Sequence, residues 1–335
     1  MAVALIPSPP PATPATRAEA AWIDHPSGFL ALSSKNRRFT VDGLPGLIAY
    51  REQGKHLFAF GGVHAPQSAR AALLDAFLAE AAARRRRVAA LQIRAGQADL
   101  FRSRGFTVNQ FGSSWGMRLA GFSMAGTKRM KLRNKVKQAR AAGLRILEVG
   151  RELPDGAATF ARLQAVSDAW LAAKKKKELD FMIGELGGPG DPDRRIFVVV
   201  DARGDTQGFI TYVPAWGERP GWLHDLTRRV PSAPHGAMEL CNAVAIERLA
   251  AEGAAHLHFG FTPFIVGGEE GPGASRVLGG ILRALRRWGG FIYPADSQAQ
   301  YKLKWAPDIV EHELVACRPL SLRAIVDLLI LTRSL

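Results

Sequence analysis

Residues 222–264, WLHDLTRRVPSAPHGAMELCNAVAIERLAAEGAAHLHFGFTPF, constrain the fold of this 335-residue chain more than any other stretch. They prescribe, in order, a strand, a polar loop, an amphipathic helix and a second strand. Trp222 to Leu226 reads as a short strand, and Pro231 and Pro234 then end regular pairing, because proline lacks an N–H and has a fixed φ. From Ala237 onward, Leu240, Val244, Ala245 and Leu249 recur at helical spacing until Gly253 supplies the stop. Leu257, Phe259 and Phe261 alternate with His256, His258 and Gly260, the pattern of a strand packed on one face.

A strand, a turn exposing backbone N–H groups, a helix and a further strand together resemble the core of the acetyltransferase-like (GNAT) fold. In that fold the turn carries Arg/Gln-x-x-Gly-x-Gly/Ala, whose amides and helix dipole hold the pyrophosphate of a coenzyme A thioester. Here Arg228 to Met238 reads RRVPSAPHGAM, with one glycine. The motif is absent, which argues against an acyl-CoA donor.

The length suits about two domains with a substantial core. Cys241 and Cys317 read as reduced core thiols and not as a disulfide framework, so a reducing, cytoplasmic setting is expected. The net charge of +15 and pI near 10.4 imply a polyanionic partner: RNA, DNA or an anionic membrane surface. The first residues, MAVALIPSPPPATPATRAEA, lack the pattern of a secretory signal, and residues 1–24 are expected to form a disordered tail. The C-terminal LSLRAIVDLLILTRSL is the most hydrophobic segment, but Arg323 and Asp327 interrupt it short of the ~20 apolar residues a span requires. Residues 319–335 are therefore expected to form an amphipathic helix with Arg323, Asp327 and Ser334 on one face. It would dock on the protein's own core, with a lipid interface as the alternative.

Residues 25–122 read as a first GNAT-like domain. LALS, LIAYRE and HLFAFGG suggest an antiparallel meander, Ser68 a cap for a helix over Ala69 to Ala83, and VAALQI a strand. Asp99 to Arg104 with Gly105 and Phe106 resembles the short helix and turn before a final GNAT hairpin. Residues 123–318 read as a second such domain. After a basic connecting helix over 127–142, RILEV begins a strand, Phe160 to Ala173 forms a helix through Leu163, Val166, Trp170 and Leu171, and IFVVV with QGFITYVPAW forms a hairpin. Residues 267–280, GGEEGPGASRVLGG, read as a glycine-rich loop. The fold class is thus α/β (α+β), a tandem GNAT-like architecture of mixed central sheets flanked by helices.

Residues 118–151 hold ten basic residues against one acid, Glu148. On a helix over 127–142, Leu132, Val136 and Ala139 form a narrow apolar stripe. Lys128, Lys131 and Lys135 flank it on one side, and Arg129, Arg133, Lys137 and Arg140 on the other. The row can be a solvated helix face or can contact phosphates without reading sequence.

Several pieces taken together resemble the C-terminal synthase domain of lysylphosphatidylglycerol synthases, the DUF2156 class of tandem-GNAT transferases. They are Phe122 to Gly143 (FSMAG with LRNKVKQARAAG), SDAWL-x-x-K with Glu178 and Phe181, DLTRR (Asp225 to Arg229), PHGAME (Pro234 to Glu239), FGFTP (Phe259 to Pro263) and YKLKWAP (Tyr301 to Pro307). The resemblance runs from about Gly28 to Ala316. It implies transfer of an amino acid from aminoacyl-tRNA, a co-substrate, to a hydroxyl of an anionic lipid at the inner face of the membrane, with no metal and no cofactor. By the same resemblance Asp225 would engage the donor's amino group or act as base, and Arg228 would clamp phosphate. Lys302 and Lys304, placed on one face of a regular final strand, would serve phosphate or oxyanion. Glu178, Arg229, His235 and Glu239 would contact substrate, with His235 a reserve base, and the basic helix would hold tRNA phosphates. Two departures stand out. No flippase segment lies within this chain, and Phe60 to Pro66 reads FGGVHAP where the family has an acidic Gly-Asp-Pro segment. The acceptor class therefore extends to another lipid, a sterol-like alcohol or a small metabolite. An acyl-CoA N-acyltransferase and a noncatalytic RNA- or membrane-binding protein remain the competing readings.

Overall fold

The computed structural model describes residues 20–174, 180–267, 271, 273–291, 293–318 and 321–334. The first half contains α1 (Gly28–Ala31), β1 (Arg37–Val41), β2 (Leu44–Gln53), β3 (His56–His64), α2 (Gln67–Ala83), β4 (Arg87–Ile93), α3 (Ala98–Arg102) and β5 (Thr107–Arg118). The second contains α4 (Met130–Ala141), β6 (Arg145–Glu148), α5 (Ala157–Lys174), β7 (Arg195–Val200), β8 (Thr206–Ala215), β9 (Gly221–Arg229), α6 (Ala237–Ala251), β10 (His256–Pro263), α7 (Arg276–Trp288), α8 (Ala295–Leu303) and β11 (Ile309–Arg318), followed by α9 (Leu322–Leu331).

The described strands form one eleven-stranded sheet in the order β1-β2-β3-β4-β11-β5-β10-β9-β8-β7-β6. Read from either end, a meander leads to a parallel pair, β3 with β4 and β9 with β10, each joined by a helix, α2 or α6. The order is nearly palindromic. The strand that closes each half pairs in the other: β11 lies between β4 and β5, and β5 continues onto β10. The apolar stripe of α6, with Leu240, Ile246 and Leu249, packs with Leu132 and Val136 of α4 over the second half of the sheet. Leu73, Leu74 and Phe77 of α2 cover the first half. Covering each half this way lets a mixed sheet bury its apolar residues.

Four local expectations change. The LALS segment is a helical turn followed by a bend, because Asn36 Nδ2 donates to the Leu30 and Ala31 carbonyls at 3.0 and 3.1 Å and closes the chain on itself. Helix α2 begins at Gln67 after Pro66, whose fixed φ of −59° starts it, so Ser68 falls inside the first turn and does not cap it. Within the 267–280 loop, α7 already begins at Arg276, with Ser275 Oγ accepting from the Leu278 amide at 3.2 Å. The segment carrying Lys302 and Lys304 is α8 and the turn after it; the final strand begins only at Ile309. Tyr301, Leu303 and Trp305 alternate as a strand would. Ala295, Ala299 and Lys302, however, are the buried positions, which is helical spacing.

Helix α9 docks on the core with Ala324, Asp327 and Leu331 buried and Arg323 exposed. Asp327, 0 % exposed, meets His56 Nδ1 at 2.8 Å and Arg323 at 2.9 Å, whereas Val326 and Ile330 face outward.

Candidate active site

A β-bulge in β9 sets the site. Ile210 pairs with Thr227 and Tyr212 with His224, so Asp225 and Leu226 together face the single residue Thr211. The amide of Leu226, displaced from the ladder, donates to Thr211 Oγ1 at 3.0 Å. Leu226 packs with Leu163 and Val166 of α5, and past the bulge the Arg228 guanidinium lies 4.3 Å from the centre of the Trp170 ring. His224 and Thr227 share the opposite face, joined Nε2 to Oγ1 at 2.7 Å. Strict alternation would have put Asp225 and Leu226 on opposite faces.

Strands β9 and β10 pair only from Gly221–Leu223 with His256–His258 and then part. Into the gap α8 inserts Lys302, whose Nζ donates to the carbonyls of Gly260 and Phe261, both at 2.8 Å, and to Thr262 Oγ1 at 2.9 Å. Its three N–H groups replace pairing that the parted strand has lost. Burial depresses the Lys302 ammonium to about 7. Burial, together with the nearby Lys302 charge, holds the His224 imidazole down at about 3, so it is neutral.

The opening is a cavity of about 810 Å³. One end is lined by Lys135, Lys174, Asp225, Arg228, Arg229 and Lys302; the other is walled by Phe111, Leu278, Leu282, Leu285, Leu328 and Leu329 from β5, α7 and α9. Asp225 is not an open carboxylate: its side chain is 2 % exposed and takes a 3.1 Å hydrogen bond from Arg194, itself set against the Phe29 ring. Burial raises its pKa despite that cation. The segment at Gly184 presses on it so closely that a Cβ there would stand 1.6 Å from the carboxylate. The loop before it holds Phe181 and Met182 at φ of 60° and 61°, and the two-pronged Arg51–Asp180 pair at 2.8 and 3.2 Å secures it.

Of the residues picked out in the sequence, Lys135, Asp225, Arg228, Arg229, His235, Glu239 and Lys302 line this one cavity. Lys304 does not; its ammonium stands half-exposed 3.6 Å from Glu239. Glu239 also takes a 3.0 Å contact from Lys135, and Gly236 makes this close approach possible, since a Cβ there would meet the Lys135 carbonyl at 2.3 Å. Glu178 lies outside the described residues. The basic row divides. Arg129 donates to the Trp305 and Ser123 carbonyls and Arg133 to Met124, so with Lys135 they are committed within the protein. Lys128, Lys131, Lys137 and Arg140 face solvent. Arg194 and Trp170 were given no role in the sequence reading: the first sat in a loop, and the second was read as part of the α5 apolar stripe and of the SDAWL piece of the family resemblance.

The family described as "Phosphatidylglycerol lysyltransferase, C-terminal" matches residues 17–317. The chain belongs to this family. Among curated relatives, the lysylphosphatidylglycerol biosynthesis bifunctional protein LysX of Mycobacterium leprae is 29% identical over 215 residues, 63% of this chain. The matched segment covers 19% of that relative's length, so the chain corresponds to a small part of it. Among solved structures, the C-terminal domain (DUF2156) of an Agrobacterium fabrum protein assigned as a lysylphosphatidylglycerol synthetase superposes with a TM-score of 0.76 at 21% identity, covering 95% of this chain and 96% of that one. L-PGS from Bacillus licheniformis gives 0.73 at 22% identity, covering 91% of each chain. FemX gives 0.55 at 11% identity, covering 95% of this chain and 99% of that one. These likenesses establish a GNAT-like mixed α/β fold.

Proposed function

We propose that the chain transfers an amino acid from aminoacyl-tRNA to a hydroxyl of an anionic lipid such as phosphatidylglycerol. The observation that carries this reading is the two-ended cavity, with cations around Arg228 at one end and an aliphatic wall from α7 and α9 at the other. A phosphate bearing acyl chains suits both ends at once. The names of the relatives point to the same lipid product, and the exposed cations of α4 suit a tRNA backbone.

In the reaction, the acceptor hydroxyl oxygen bonds to the ester carbonyl carbon and the bond to the tRNA ribose oxygen breaks. The hydroxyl proton ends on that ribose oxygen, so no external acid or base is consumed. Arg228, held on Trp170, supplies charge to the lipid phosphate. Asp225, with Arg194 beside it, engages the donor's ammonium group or relays the proton. Lys302 holds β10 apart from β9, which keeps the place of reaction open.

The test uses tRNA charged with a radiolabelled amino acid and vesicles containing phosphatidylglycerol. Label should enter the lipid phase, and Arg228→Ala and Asp225→Asn should each slow its entry. Consumption of acetyl-CoA with the charged tRNA left intact would instead favour an N-acyltransferase and sink the reading.

A further inference from the structure

Helix α7 is apolar over a wider arc than the core can cover. At 100° per residue, Ala284, Val277, Trp288, Ile281, Leu285, Leu278 and Leu282 follow one another around about 160° of its circumference. Only one edge of this arc, Leu278 and Leu282, is buried. Val277 and Trp288, 68 % and 69 % exposed, form the other edge. Arg276 and Arg287 border that exposed edge, and Arg287 lies 5.7 Å from the Trp288 ring. Helix α9 shows the same division. Ala324, Leu328 and Leu329 line the cavity, whereas Val326 and Ile330 face outward; exposed arginines flank them, Arg323 paired with Asp327 at 2.9 Å and Arg333, just beyond the helix, 3.8 Å from Asp180.

These are the two helices that wall the apolar end of the cavity, and their inner leucines share one cluster. Neither is long and apolar enough to span a bilayer. An exposed tryptophan and aliphatic residues bordered by arginines match the boundary of an anionic bilayer, where apolar side chains enter the acyl region and guanidinium groups stay at the phosphates. A protein partner would have to cover the arginines with acids, and nothing in the arrangement selects that over lipid phosphates.

We propose that the outer faces of α7 and α9 form a docking surface for an anionic bilayer, seating the apolar end of the cavity against the acyl chains. The choice of a lipid surface rests on the transfer reading above. The surface residues lie outside the cavity, so docking and chemistry can be separated.

The experiment compares flotation of the intact chain with vesicles of phosphatidylglycerol and phosphatidylcholine, or of phosphatidylcholine alone. Transfer is measured in parallel to vesicle lipid and to short-chain phosphatidylglycerol dispersed below its micellar concentration. Wild type should float with the anionic vesicles. Val277→Glu/Trp288→Glu and, separately, Val326→Glu/Ile330→Glu should each lower binding and vesicle transfer by about tenfold or more, with transfer to dispersed lipid unchanged. Arg276→Gln/Arg287→Gln, which leaves the apolar stripe intact, should weaken binding by roughly tenfold on anionic vesicles only. Failure of wild type to float, or glutamate variants that float like wild type, overturns the docking surface. A wild-type dimer that Trp288→Glu splits, with no vesicle binding, assigns the face to a second copy and also overturns it. Flotation as expected with no transfer to either lipid leaves docking standing and rejects the transfer reading.

Discussion

The two halves of the sheet follow one order, β3-α2-β4-α3-β5 and β9-α6-β10-α8-β11, with α7 inserted before α8 in the second, but they treat the gap beyond their parallel strands differently. In the first half β3 and β4 stay paired from His56–Arg87 to Phe60–Leu91, and Gln97 then seals the gap. Its Oε1 accepts from the Val63 amide at 2.8 Å and its Nε2 donates to the Val63 carbonyl at 3.2 Å. In the second half pairing stops at Leu223–His258, and a lysine takes the carbonyls instead. Buried backbone groups must find partners in either case. A neutral amide satisfies the backbone in the first half, which gives the cavity apolar wall such as Phe58, Leu91 and Phe111. A cation bound to β10 beside a strand bulge does so in the second, which supplies the cavity's Asp225, Arg228 and Lys302.

That contrast can be broken most directly at Lys302. Lys302→Met strips three buried acceptors of their donor, each costing about 1–3 kcal/mol, and should reduce transfer by at least about 100-fold while lowering the thermal midpoint. A pH series sharpens it. The folded ammonium titrates at about 7 against an ordinary 10.5, so between these values the unfolded chain binds a proton that the folded chain lacks. Stability should therefore rise with pH across that window in the wild type, because the cost of the buried charge is full below it and is relieved as the amine deprotonates. Denaturant titrations should show this rise flattened in Lys302→Met; equal slopes would mean that Lys302 is not the buried cation described.

Arg228→Ala comes next, with an expected fall in kcat/KM of about 10- to 150-fold, as for a lost hydrogen bond to a charged group. An unchanged rate would remove Arg228 from phosphate binding. Gln97→Leu probes the closed half: about 1–3 kcal/mol of stability should go, with kcat for transfer preserved. A drop in kcat there would show that the first half takes part in the chemistry. Smallest of all, Lys137→Ala on the solvent side of α4 should change transfer less than about threefold and make tRNA binding slightly less salt-dependent. An unaltered salt slope would place the tRNA on another face.

The sequence was most legible where residue type and periodicity agreed. The β9-α6-β10 unit, helix α4 and the β7–β8 hairpin lie where apolar spacing puts them, because each buries a face long enough to declare its period. Lys302 was legible as a residue but not as a structure: Tyr301, Leu303 and Trp305 mimic a strand, and only contact with β10 decides for a helix. The bulge at Asp225 and Leu226 left no trace, since it depends on pairing with Thr211, fourteen residues away for Asp225. Arg194 was invisible for the same reason, its partner Asp225 being 31 residues distant. The row over 128–140 reads as one patch in sequence, but its division into committed and solvent-facing cations depends on which carbonyls α4 meets.

The exchange of closing strands also bears on how the chain is made. Strand β11 leaves the ribosome after β4 and β5, yet it fills the slot between them. Until it arrives, the facing edges of those earlier strands lack a partner and are open to other extended chains. Nascent protein halted before residue 309 should therefore be a poor candidate for independent folding and a good client for a chaperone.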